Sequence, residues 1–337
     1  MCNIISTVKT LESEENFIES INQGWFGDIS AFFDSIGVWF GVLGLIVSVM
    51  AVILWSISYV KKINALSIKK VERLVAERKY IRGLFVELND SKEKLRYFVY
   101  GDKWKERIIN EYNSIFSDYY GDLLKEVFGK TVNLTISRKT NIEELVEIIE
   151  NTREFLNRLY KKEVQYPEKY KDSMVIFHIY SNRYDERLLE LKLKAEYIKA
   201  KYIILIGSAG NGKTNLLCSM VEFLNKLKYP CVFLNAKDIE SDIEEYFIKQ
   251  LNFPQVVSNK KWGMKILRAI NKIRRKQTYV IIDAVNENNQ EEFLKNISDF
   301  IEILLNENNI RLLISCRSEY YEAKYKKILA PSTTLHK

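Results

Sequence analysis

Histidine is nearly missing from this chain of 337 residues, which carries only His178 and His336. Two imidazoles cannot build a multi-histidine metal centre, and a Ser-His-Asp triad would have a single candidate to draw on. Cysteine is scarce as well. Cys2, Cys218, Cys231 and Cys316 show no CxxC spacing and are too few for a disulfide scaffold, so a reducing compartment is expected. Proline is absent from Lys61 to Gln165, and no internal repeat or low-complexity run is visible. With 47% hydrophobic and 28% charged residues, disordered and collagen-like classes are excluded. The length exceeds one ordinary domain and predicts either two units or one with long extensions.

Charge is unevenly placed. Residues 1–35 hold one lysine against six carboxylates, a net −5, which leaves +12 for the rest of a chain whose total is +7. Between these parts, Ile36 to Val60 contains no charged residue and no proline. Twenty-five helical residues reach about 37 Å, enough to cross a hydrocarbon core of ~30 Å with some tilt. Trp39, Trp55 and Tyr59 lie toward the ends, where amphipathic rings favour the headgroup region. The acidic leader and the length of the run exclude a cleaved signal peptide, so a retained single transmembrane helix over 36–60 is expected. Lys61, Lys62, Lys69 and Lys70 follow it, which by the positive-inside bias places residues 1–35 outside and the bulk of the chain in the cytoplasm of a cell-membrane protein. Gly37 and Gly41 form a GxxxG pattern compatible with close helix approach or with local flexibility.

Beyond the span, Ile68, Val71, Leu74, Val75, Ile81, Leu84, Phe85 and Leu88 recur at helical spacing and predict a helical region over 61–165. Gly83, Gly101, Gly121 and Gly129 punctuate it into several helices. Asn141 with Glu144 reads as the N-cap of one that runs through Leu145, Ile148, Ile149, Phe155 and Leu156. Its many lysines alternate with glutamates, the pattern of solvated helix faces rather than of a surface for anionic lipid or nucleic acid. From 166 to 337 the pattern changes. Short β-rich runs, Tyr202 to Ile206, Cys231 to Asn235, Tyr279 to Ile282 and Arg311 to Ser315, alternate with helical stretches, which predicts an α/β domain with a parallel sheet flanked by helices. Leu216, Leu217, Met220, Val221, Leu224 and Leu227 form the apolar stripe of a helix packed on that sheet.

Gly207, Ser208, Ala209, Gly210, Asn211, Gly212, Lys213 and Thr214 match G-x-x-x-x-G-K-[ST] between a strand and a helix. Small residues let the backbone wrap a phosphate chain, N–H groups at the helix start oppose its charge, Lys213 reaches the β and γ oxygens, and Thr214 holds Mg²⁺ through its hydroxyl. Sixty-nine residues after Thr214, the apolar run Thr278 to Ile282 ends in Asp283, a second metal partner if its strand neighbours the loop strand. Glu287 is placed to polarise an attacking water, and Arg317, at the carboxyl edge of the fourth strand, to contact the γ-phosphate; a surface ion pair is its alternative. The fold class expected is therefore an α/β P-loop NTPase preceded by a helical region and a single transmembrane helix, with ATP and Mg²⁺ as ligands.

GSAGNGKT, IIDAVNE with small Ala284 after Asp283, and LLISCRSEY together resemble the STAND class of signal-transduction NTPases, in particular its NACHT-like bacterial members, over roughly Tyr166 to Tyr321. Asn286 stands where that family's pattern has the first residue of an acidic pair, and Glu287 keeps the second. The resemblance implies a slow ATPase acting as a switch, with Arg317 as its sensor arginine, homo-oligomerisation on an unidentified trigger, and a role in antiphage defence with the membrane portion as effector. Only 20 residues follow Arg317, so the domain is expected to be incomplete at its C-terminus, either as a fragment or completed by a second chain, with the sheet edge beside the loop strand uncovered. Two other readings are a membrane scaffold that holds nucleotide without turnover and a membrane-anchored P-loop motor acting on nucleic acid. No LSGGQ-like transporter segment or NKxD guanine-reading segment is present.

Overall fold

The structure, a computed structural model, describes residues 44–81, 91–129, 132–161, 168, 171–240, 242–252 and 260–329. The acidic leader, Gly37, Trp39, Gly41, Gly83, Leu84, Phe85 and Leu88 lie outside them. The chain divides into two compact units, Met1–Tyr59 and Val60–Lys337. Helix α1, Gly44–Ala76, has 33 residues and a mean hydropathy of 1.8 over its most apolar window, and among the described residues it is the one helix long and apolar enough to cross a membrane. In its first half Leu45, Val47, Met50 and Leu54 are all exposed, a surface compatible with lipid.

Within the second unit, one group of helices packs on itself. It comprises α2 (Ser91–Tyr100), α3 (Lys105–Ile115), α4 (Tyr119–Phe128), α5 (Ile142–Tyr160) and α6 (Lys171–Lys199). Asn141 caps α5 as its spacing predicts, its Oδ1 accepting from the Glu144 amide at 2.8 Å. Leu145, Ile149, Phe155 and Leu156 are buried, and Tyr184, Leu188, Leu191 and Ala195 of α6 share their core. A helix starting beyond residue 166 thus joins the preceding helices, although the change of pattern at 166 reads as the start of the α/β domain.

The sheet follows: β1 (Tyr202–Gly207), β2 (Cys231–Asn235), β3 (Thr278–Asp283) and β4 (Ile310–Arg317), all parallel, in the order β1-β4-β3-β2. Helix α7 (Lys213–Lys226) lies on one face, with Leu216, Leu217, Met220, Val221 and Leu224 buried against Phe233, Tyr279, Ile281 and Leu313. Helices α8 (Ile243–Gln250) and α10 (Glu291–Leu305) meet through Phe247 and Phe300, ring centroids 5.4 Å apart. Helix α9 (Lys260–Arg274) is tied to the start of β3 by Asn271, whose Oδ1 accepts from Thr278 Oγ1 at 2.8 Å. Arg311 on β4 is buried and donates through Nη2 to the Ile198 carbonyl at 2.8 Å and through Nη1 to the Phe98 carbonyl, which joins α6 and α2 to the sheet.

The two edges of the sheet differ. At β2, the second half of α1 runs alongside the strand and fills its outward hydrogen-bonding positions with side chains. Asn64 Nδ2 donates to the Tyr229 carbonyl and its Oδ1 accepts from the Cys231 amide, both at 2.9 Å. Ser67 Oγ donates to the Cys231 carbonyl at 2.7 Å and accepts from the Phe233 amide at 3.0 Å. Lys70 Nζ donates to the Phe233 carbonyl at 3.0 Å. Three helical residues rise about 4.5 Å while two strand residues rise about 6.6 Å, and the long arms of Asn64 and Lys70 on either side of short Ser67 take up the difference. An edge that would otherwise template pairing with another chain is thereby closed. At the opposite edge β1 pairs with β4 alone among the described residues, and Ile206 is 43% exposed.

Candidate functional site

The carboxyl ends of the strands converge on one cavity, the position where open parallel sheets bind ligands. Its floor is the loop between β1 and α7. Gly210 and Gly212 adopt φ of +80° and +73°, a region that side chains with a Cβ rarely enter, so the two turns that reverse the loop depend on glycine. Gly212 is the N-cap of α7, and the first helical residues are Lys213 and Thr214, which directs the open amides of the helix start into the cavity. Lys213 Nζ donates to the Gly207 and Ser208 carbonyls, to the latter at 2.8 Å. Burial and the nearby Arg317 charge push its pKa down, opposed by Asp283.

Asp283, the last residue of β3, is 3% exposed. Its carboxylate accepts a hydrogen bond from Ser315 Oγ at 2.5 Å, and Thr214 lines the same cavity. Burial raises its pKa, the two hydroxyls pull it back down, and the Glu287 charge adds to the rise. The strand arrangement differs here from the sequence expectation. Asp283 does not stand on a strand neighbouring β1, because β4 lies between β1 and β3. Ser315 of β4 fills that gap and spans from Asp283 to the Ala284 amide, which donates to its Oγ at 2.8 Å. Asp283 and Thr214 thus line one cavity although a strand intervenes between their elements.

After Asp283 the chain turns through Ala284, held at φ +54°, into the short turn Val285–Glu287. The small side chain keeps that left-handed conformation affordable. Asn286 is buried and its Oδ1 accepts from the Arg317 amide at 3.0 Å. Glu287 Oε1 accepts from Arg317 Nη2 at 3.0 Å, with both side chains about two-fifths exposed. The ion pair weighed for Arg317 therefore forms, and it forms inside the cavity with Glu287 as partner.

Lys213, Thr214, Asp283, Glu287 and Arg317 all line this cavity, with Gly210, Asn211 and Gly212 below them. Gly207 and Ser208 stand at the loop's entrance; a Cβ on Gly207 would come within 3.4 Å of the Asn211 side chain. Ser315, which sequence reasoning treated as part of a core strand, and Lys79, which it did not consider, line it too. Ser315 had a signal, a hydroxyl two residues before the end of β4, directly after apolar Leu312, Leu313 and Ile314. Lys79 had none, since it lies 134 positions before Lys213 in a stretch rich in lysine. The hard oxygens of Asp283 and Thr214 suit a small divalent cation, and the glycine-lined floor admits close backbone approach to a phosphate chain, so the residues present fit Mg²⁺ and a nucleotide. Neither a protein-family model nor a curated protein matches the chain.

Proposed function

We propose that the chain is a membrane-anchored switch that binds and slowly hydrolyses ATP, of the STAND, NACHT-like kind, with its N-terminus outside and its α/β region in the cytoplasm. The observation that carries this reading is that Thr214 and Asp283, the two metal-holding positions inferred from sequence, line one cavity although they lie on elements separated by another strand. In this reading the loop amides and Lys213 hold the β and γ oxygens, and Lys213 exchanges its present carbonyl partners for phosphate. Thr214 and Asp283 hold Mg²⁺, which when bound draws charge from the terminal phosphate oxygens. Glu287 orients and deprotonates the attacking water, and Arg317 turns from Glu287 toward the γ-phosphate. Freed by that turn, the carboxylate can act as a base.

The same ion pair supports a second reading, a scaffold that keeps its nucleotide intact, because a Glu287 held by Arg317 is not available to a water molecule. Phosphate release by the full chain in lipid nanodiscs decides between them. The switch predicts turnover that falls about a hundredfold in Glu287→Gln with MgATP affinity kept. Equal release by wild type and variant, at background, would favour the scaffold.

A further inference from the structure

The turn that ends α1 reaches the same cavity. Helix α1 stops at Ala76 because Arg78 takes the left-handed conformation, φ +57°, while the Lys79 and Tyr80 amides both donate to the Leu74 carbonyl, at 2.9 and 3.1 Å. The turn is anchored on both sides. Tyr80 is buried and its hydroxyl donates to Glu222 of α7 at 3.0 Å. Arg73 pairs with Asp238, in the turn after β2, at 3.4 Å. That turn is in its own right held to the segment after β3, since Asn288 Nδ2 donates to the Ala236 and Ile239 carbonyls at 2.7 and 2.9 Å. Between these anchors Lys79 projects into the cavity that Glu287 and Arg317 also line.

Resting on the nucleotide reading above, we infer that Lys79 is a further ligand for the terminal phosphate, so that the turn ending α1 forms one wall of the nucleotide site. Its present partner is exchangeable. Lys79 Nζ contacts Glu77 Oε2 at 2.7 Å, but both side chains are a third to a half exposed, where an ion pair is weak. An ammonium has three donors and can keep Glu77 while it donates to a phosphate oxygen. The position is selective: the loop amides and Lys213 hold the β oxygens that ADP and ATP share as well as the γ oxygens, whereas Lys79 lies near Glu287, which in the reading above faces the γ-phosphate alone. Loss of that phosphate removes a contact of the α1 turn and leaves the loop contacts in place, a difference between two states of the kind a switch needs. The hydrogen bond to Glu77 and, more weakly, the Glu287 charge raise the Lys79 pKa.

The test measures MgATP and MgADP affinities of the full chain in nanodiscs, by displacement of a fluorescent nucleotide, for wild type, Lys79→Ala, Lys79→Arg and Lys213→Ala. Lys79→Ala is expected to weaken MgATP about fivefold and MgADP less than about twofold, the scale of one partly exposed charge contact, with Lys79→Arg near wild type. An unchanged ratio of the two affinities in Lys79→Ala, whether both stay or both fall, overturns the role of Lys79. It leaves the nucleotide site standing if Lys213→Ala abolishes both. Failure of the folded wild type to bind MgATP overturns both inferences.

Discussion

At the residue scale, the site turns on one buried carboxylate that accepts from Ser315 Oγ of β4 and shares its cavity with Thr214 of α7. Burial raises the Asp283 pKa, and the Ser315 and Thr214 hydroxyls work against that rise. A carboxyl group with a raised pKa is ionised only above that shifted value, so on the nucleotide reading a Mg²⁺ held by Asp283 would compete with a proton as pH falls toward it. Removing Ser315 takes away one of the hydrogen bonds that favour the charged form. Ser315→Ala should therefore move the acid limb of Mg²⁺-dependent ATP binding to higher pH and weaken Mg²⁺ about tenfold at neutral pH; it also leaves the Ala284 amide without its partner, at a cost of about 1–2 kcal/mol in stability. A Mg²⁺ titration of ATP binding between pH 5 and 8 and a urea melt read the two effects; an acid limb at the wild-type position would contradict the assigned role of Ser315. The loop residues were legible in sequence because their chemistry is local: eight consecutive positions carry the whole pattern. Ser315 and Lys79 were not, because a serine in a strand and a lysine after a helix become site residues only when the sheet order and the end of α1 are known.

At the element scale, periodicity revealed the four strands and the α7 stripe, since each buries a face defined by its own neighbours in sequence. It carried no information on strand order, and the insertion of β4 between β1 and β3 emerges only from pairing. The contact of α1 with β2 was equally hidden. Asn64, Ser67 and Lys70 look like the polar face of a helix leaving a membrane, and their partners are backbone groups more than 160 positions away. Asn64 and Ser67 are each only 3% exposed, so these are buried polar contacts with no water to replace them. Ser67→Ala leaves the Cys231 carbonyl and the Phe233 amide unpaired and should destabilise the unit by about 1–3 kcal/mol. Hydrogen exchange would show the Phe233 amide losing protection in this variant, and wild-type protection there would contradict the hydrogen bond as the source of stability.

At the scale of the whole molecule, an apolar helix and a cavity-forming sheet are parts of one chain that share α1. The apolar run was legible as a candidate span because twenty-five uncharged residues have few other homes, and the described helix from Gly44 onward is long and apolar enough to cross a membrane. The helical group between span and sheet was legible as helices, but not in its attachment: Arg311, in a strand that reads as core, joins β4 to α2 and α6. The central claim is that the loop from Gly207 to Thr214 holds the phosphates of ATP with Asp283 behind its metal. Calorimetric titration of MgATP into the folded full chain, wild type beside Lys213→Ala, tests it most directly. The account predicts saturable binding that requires Mg²⁺ and weakens at least about a hundredfold in the variant, whereas wild-type affinity in a folded Lys213→Ala protein would contradict it.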